Sequence, residues 1–204
     1  MIKQIIDYIG NELKSVGFKK KGSNFYLFKE GNIGLLNIQK SIRNDKVQMR
    51  FTINVGVYSS KLRLFFSGSE VDHPIINDCC WKMRVGLLRS EKNDFWWIVD
   101  SDTDVIDLGL DVKRTINESV IPTILKNISD EMLIRTWLGG DYLNAETIVG
   151  MYCNLSALLC IYSDNRLEGV MEKFYEYCSK NRYQHIFIAQ QERIAEWKVS
   201  HNNK

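Results

Sequence analysis

The sequence predicts an α+β fold: an N-terminal helix on a four- to five-stranded antiparallel sheet, followed by a C-terminal antiparallel helical array. Three observations carry this. The run Phe51-Thr52-Ile53-Asn54-Val55-Gly56-Val57-Tyr58 alternates, with Phe51, Ile53, Val55 and Val57 on one face and Thr52, Asn54 and Tyr58, preceded by Arg50, on the other. The turns joining it to the preceding apolar runs are too short for a crossover, so the strands are antiparallel neighbours. Beyond Asp104 the apolar spacing changes from two to three and four, and stays helical to the end of the chain.

The elements follow in order. Ile2, Ile5, Ile6, Ile9, Leu13 and Val16 form one stripe of an amphipathic helix over residues 2–16, and Gly17 ends it in a left-handed cap. Lys19-Lys20-Lys21 lies between Gly17 and Gly22 and reads as an exposed turn. Phe25-Tyr26-Leu27-Phe28 is the centre of a first strand over 24–29, and Glu30-Gly31-Asn32 turns into a second over 33–42. Arg43-Asn44-Asp45-Lys46 then turns into the alternating strand. Residues 59–78 read as a long, partly ordered connection. Trp81 to Leu88 is a fourth strand, and Phe95 to Val99 a short fifth.

In the helical part, Val105, Ile106, Leu108, Val112, Ile116 and Val120 share one face, and Pro122 is expected to break that helix and open another. Ser129 and Asp130 read as caps of a short helix ending at Gly139-Gly140. Helices over 142–162, 165–180 and 184–199 complete the chain. The expected division is an α+β sheet domain over 1–140 and a helical extension over 141–204, packed together as one globular unit.

Composition bounds the function. The 204 residues are 45% hydrophobic with two prolines, ample for a core. A net charge of +2 from 27 basic and 25 acidic residues is too small to drive nucleic-acid or anionic-membrane binding, so no nucleic acid and no membrane partner is expected. The N-terminus turns polar too soon for a signal peptide, and no apolar run is long enough to span a membrane. Five cysteines, an odd number without disulfide-framework spacing, point to a reducing cytoplasm.

The candidate constellations each have a plainer reading beside them. Asn37, Gln39 and Ser41, then Thr52, Asn54 and Tyr58, then Lys82 and Arg84 fall on one side of three strands. If those sides coincide they form a patch of amides, hydroxyls and cations, with Arg84 able to grip a carboxylate or phosphate with two donors. The plainer reading is one wet face of an antiparallel sheet, although an asparagine in mid-strand calls for a hydrogen-bonding reason. Trp96 and Trp97 should point to opposite sides, one into the core and one to a rim where it could anchor a partner. Asp100 to Asp104 resembles a calcium loop, but Val105 stands where the loop needs glycine and Asp111 where it needs glutamate, so helix capping is the better account and no metal is expected. His73, Cys79 and Cys80 lack further ligands for zinc, while Cys153 and Cys160 lie one heptad apart on a core stripe. No phosphate loop, nucleotide-binding glycine turn, nucleophile elbow or basic-aromatic RNA signature occurs. No catalytic residue and no cofactor is therefore assigned.

The order Gly17-Phe18-Lys19-Lys20-Lys21-Gly22 with Phe25-Tyr26, then Asn37-Ile38-Gln39-Lys40-Ser41, then Phe51 to Tyr58, then Cys80-Trp81 with Arg84-Val85-Gly86, then Trp96-Trp97, resembles the bacterial family called domain of unknown function 4304, over about residues 1–130. The resemblance implies fold kinship and a cytoplasmic bacterial setting, and supplies no activity. Families of this size that act as immunity or antitoxin-like partners offer an analogy only. The expectation is a non-enzymatic protein-interaction module with Gln39, Asn54, Tyr58 and Arg84 at its surface and Trp96 or Trp97 at the rim. The alternative is a small-molecule or nucleotide-binding enzyme using the same face, which would need a concave pocket of roughly 300 Å³ or more. In a third reading the polar face has no partner.

Overall fold

The computed structural model describes residues 2–45, 47–140 and 147–201, with the backbone alone for 2–4. Lys46 of the expected turn, the expected helix start at Tyr142 and the side chain of Ile2 lie outside the described residues. Helix α1 (Ile2–Ser15) is followed by strands β1 (Lys19–Lys21), β2 (Asn24–Lys29), β3 (Asn32–Lys40) and β4 (Met49–Ser59). Helix α2 (Ser60–Ser67), strand β5 (Trp81–Arg84), strand β6 (Trp97–Val99) and helices α3 (Val105–Thr115), α4 (Ile121–Asn127), α5 (Asp130–Leu138), α6 (Ile148–Ile161), α7 (Leu167–Asn181) and α8 (Gln184–His201) complete the order. This is the α+β architecture that the alternation and the later helical spacing require.

The sheet has six antiparallel strands in the order β1-β2-β3-β4-β5, with β6 also on β4. The additional strand is the lysine run, expected as a turn. Lys19, Lys20 and Lys21 pair with Tyr26, Phe25 and Asn24 across a tight turn in which Gly22 has φ +63°. All three lysines are exposed, a common way to blunt a sheet edge.

Strands β5 and β6 lie end to end along one edge of β4. Asn54 to Val57 pair with Arg84 to Trp81, and Met49 to Phe51 pair with Val99 to Trp97. The expected strand to Leu88 therefore stops at Arg84, and residues 85–96 leave the ladder, beginning with a 3-10 turn over Val85–Leu88. This excursion closes tightly on itself: a Cβ at Gly86 would lie 1.9 Å from the Asn93 carbonyl oxygen.

Two further expectations change. Residues 59–78 are not simply a connection, because Ser60–Ser67 is a helix: the Ser59 hydroxyl accepts the Leu62 N–H at its start, and Gly68 ends it with φ 69°. Pro122 does not break its helix. The backbone stays helical from α3 into α4 through a π-turn over Ile116–Val120, and the proline sits in the first turn of α4, where its missing N–H removes little.

The chain divides into two compact units, Met1–Tyr58 with His73–Ser129, and Ser59–Asp72 with Asp130–Lys204. In the first, one face of the sheet packs on helices, and Gly34 of β3 is a point of closest approach to α4. The second packs α6, α7 and α8 around Val149, Phe174 and Cys178, with Tyr152 stacked on Phe174 at 5.2 Å. Asp130, expected as a cap, is buried there. Its carboxylate accepts the Ser59 hydroxyl at 2.7 Å and the Tyr162 hydroxyl at 2.8 Å, binding α2, α5 and the end of α6 together.

A Cβ at Gly34 would lie 2.3 Å from Ile124 Cγ2 and 3.1 Å from Ile128 Cδ1. Gly34→Ala should therefore overpack this contact and destabilise the protein by about 1–3 kcal/mol, read as a fall in the urea midpoint at unchanged slope.

Candidate functional site

The site is built on the sheet face opposite α4. Residues paired across strands share a face, so Asn24 and Asn37 lie together, as do Asn54 and Arg84. Side chains join these two pairs. Asn37 Nδ2 donates to Asn24 Oδ1 at 2.6 Å, while Asn54 Nδ2 donates to Asn37 Oδ1 at 3.2 Å and to Gln39 Oε1 at 2.8 Å. The amides form one chain from β2 to β4, with Arg84 beside its end on β5. This is the hydrogen-bonding reason for an asparagine at position 54.

The face is less wet than the alternation suggests. Thr52, Asn54 and Tyr58 are all buried, at 0%, 8% and 1% exposure. Its β4 residues are covered from two directions. A Cβ at Gly56 would lie 2.6 Å from Cys79 Sγ and 2.9 Å from Ile76, so the segment preceding β5 crosses there. The Thr52 hydroxyl donates to the Phe95 carbonyl at 2.8 Å, which brings the end of the excursion over the other side. Asn24, Asn37, Gln39, Lys82, Arg84 and Trp96 remain half-buried and reachable.

Trp96 and Trp97 divide as their adjacency implies. Trp97 is buried at 3% exposure, stacks on Phe51 at 5.2 Å and donates its indole N–H to Asp111 Oδ2 at 2.7 Å. Trp96 is half-buried, and the Arg84 guanidinium lies 5.3 Å from its ring centroid. Of the six residues expected at the site, Gln39, Asn54, Arg84 and Trp96 come together on this face. Tyr58 is sealed at the covered end, and Trp97 belongs to the core. Ser41 lies just past the end of β3 and its hydroxyl accepts the Arg43 N–H.

Sequence reasoning missed two members. Asn24 starts the amide chain and was legible as a polar residue heading an aromatic strand. Asp94, on the exposed run Ser90–Asp94, holds both Arg84 and Trp96: Arg84 Nη1 donates to its Oδ1 at 2.7 Å and Trp96 Nε1 to its Oδ2 at 3.0 Å. Those bonds, Arg84 first and Trp96 second, hold the Asp94 carboxyl below the usual aspartate range. The excursion is itself anchored by Arg89, which donates to Asp111 and to Thr115 Oγ1 and lies 4.1 Å from the Phe95 ring. Asp111, expected at most as the last position of an imperfect calcium loop, is the anchor for Arg89 and Trp97. Asp104 caps α3 through the N–H groups of Ile106 and Asp107.

Burial pushes the Cys79 thiol well up, the Cys153 thiol up to about 11, and the Cys160 and Cys178 thiols up as well. His73 is exposed, its ring 5.5 Å from Tyr26. Among the described residues no three His, Cys, Asp or Glu side chains gather as a metal site, and no helix is long and apolar enough to cross a membrane. A cleft of about 740 Å³ in the second unit is lined by Leu167, Glu168, Phe187, Ile194, Trp197 and Lys198, among others.

Two predictions follow from this geometry. Asn54→Ala removes the donor that Asn37 Oδ1 and Gln39 Oε1 share, and should cost about 1–3 kcal/mol in chemical denaturation, whereas Arg84→Ala, breaking a largely exposed pair, should cost about 0–1 kcal/mol. Because the Asp94 carboxyl is depressed in the folded state, its contribution to stability is present above the ordinary aspartate range and is lost as pH falls through the depressed value. Carboxyl-carbon NMR titration should find Asp94 titrating low in the wild type and returning upward in Arg84→Ala.

The family model described as domain of unknown function, DUF4304, matches residues 9–126, more than half of the 204-residue chain and the part that builds the sheet and its exposed face. No curated protein and no solved structure matches the chain. The chain belongs to the domain of unknown function 4304 family.

Proposed function

We propose that this protein is a non-enzymatic interaction module that binds a protein partner through the amide, Arg84 and Trp96 face of its sheet. The observation that carries the reading is a fixed row of side-chain amides with hydrogen-bonding capacity left over, ending in a guanidinium packed against an indole. Amides bear donors and acceptors in equal number, which suits a peptide backbone, and Arg and Trp are the residues that most often anchor interfaces. Asn54 organises the row from within, while Gln39, Arg84 and Trp96 make the contacts.

Burial raises the Cys79 and Cys153 thiols, which disfavours those two side chains as nucleophiles. The setting we propose is a bacterial cytoplasm, where the five free cysteines would stay reduced. The small net charge favours a protein partner over nucleic acid or membrane.

Retention from a lysate of the source cells tests the reading, with wild type, Arg84→Ala/Gln39→Ala and a control substitution at Lys173 on α7 compared by mass spectrometry. A protein retained by wild type and the control but lost from the double variant is the expected result. Identical retention by all three would remove the sheet face as the binding surface.

A further inference from the structure

We infer that Asp94 occupies the ligand's place: the Arg84–Trp96 pair is a carboxylate receptor, and the partner is an extended peptide whose carboxylate displaces Asp94 from it. This rests on the reading of the face as an interaction surface and gives that surface its specificity.

The receptor is complete for one carboxylate. Asp94 gives one oxygen to Arg84 Nη1 and the other to Trp96 Nε1, at 2.7 and 3.0 Å, so two different donors hold the two ends of a single planar anion. The donors and the acceptor differ in how they are held. Arg84 sits in β5, paired to Asn54, and Trp96 directly precedes Trp97, which is locked into the core. Asp94 lies on a run of five exposed residues and its side chain is 58% exposed. An exposed ion pair of this kind is weak, so the carboxylate can leave without disturbing what surrounds it.

An isolated carboxylate would compete poorly with one tethered a few residues away, since the tether raises its effective concentration. The incoming ligand therefore needs further contacts, and the amide row offers them. Among the described residues, the half-buried Asn24 Nδ2 and Gln39 Nε2 take part in no hydrogen bond. The row Asn24, Asn37, Asn54, Arg84 crosses four strands, three spacings of about 4.8 Å or roughly 14 Å, which an extended chain of about four residues spans. The fitting occupant is a short extended segment that runs across the strands, sets its backbone on the amides and ends on a carboxylate at Arg84 and Trp96. That carboxylate is an acidic side chain or a chain terminus.

The test is a titration of the ¹⁵N-labelled full chain, read at the Trp96 indole N–H, which Trp96→Phe assigns. The probes are acetyl-Ala-Ala-Asp-Ala-amide, its Asn counterpart, and acetyl-tetra-alanine with a free C-terminal carboxylate. Asp94→Ala should bind a carboxylate probe at least tenfold more tightly than wild type does and ignore the Asn probe. Adding Arg84→Gln should abolish that gain. A response to the Asp probe assigns a side-chain acid, and a response to the free terminus alone assigns a chain end. Equal affinities of wild type and Asp94→Ala, equal responses to Asp and Asn probes, or no response of Asp94→Ala to either acid would each overturn the inference. Retention of a lysate protein by wild type and its loss from Arg84→Ala/Gln39→Ala would in those cases still uphold the interaction surface, so the two failures are distinct.

Discussion

The ladder on the outer edge of β4 is shared by two short strands, and most of what distinguishes this domain depends on that sharing. Asn54 to Val57 take β5, Met49 to Phe51 take β6, and the chain between them must leave the sheet and come back. Its return is fixed by Thr52 on the Phe95 carbonyl and by Arg89 on Asp111, two contacts on opposite sides of the excursion. Because β5 and β6 lie in line, Arg84 and Trp96, twelve positions apart in sequence, are brought within 5.3 Å of each other. A single unbroken strand would have separated them.

Much of the frame could be read from residue spacing. The stripe of α1, the hairpin from β2 to β3 and the stripe of α7 each follow a local period, and local periods survive whatever packs on them. The misreadings have equally local causes. Helix α2 is only eight residues long, too short for a convincing period, and its marks were Ser59 and Gly68 at its two ends. The lysine run carries no apolar side chain, so nothing in its composition distinguishes an edge strand from a turn. Pro122 was given its usual effect, which a π-turn directly upstream absorbs.

For the candidate site, alternation placed Gln39, Asn54 and Arg84 on one side of β3, β4 and β5. It could not say which part of that side is covered. Tyr58 is closed off near the point where Cys79 and Ile76 reach Gly56, a contact set by a segment much further along the chain. Trp96 and Trp97 were separated by alternation without being told apart, because the choice is made by Phe51 and Asp111, one on a neighbouring strand and one on α3. Asp94 has no periodic context at all. Its place comes from the path of the excursion, a property of the folded chain alone.

Gly86 closes the neck of that excursion, where Asn93 and Phe95 approach too closely for any side chain. A sealed neck insulates the ladder from the tip. The exposed positions between Ser90 and Asn93 can therefore vary in sequence or gain residues while the sheet, the amide row and the Arg89 anchor stay as they are.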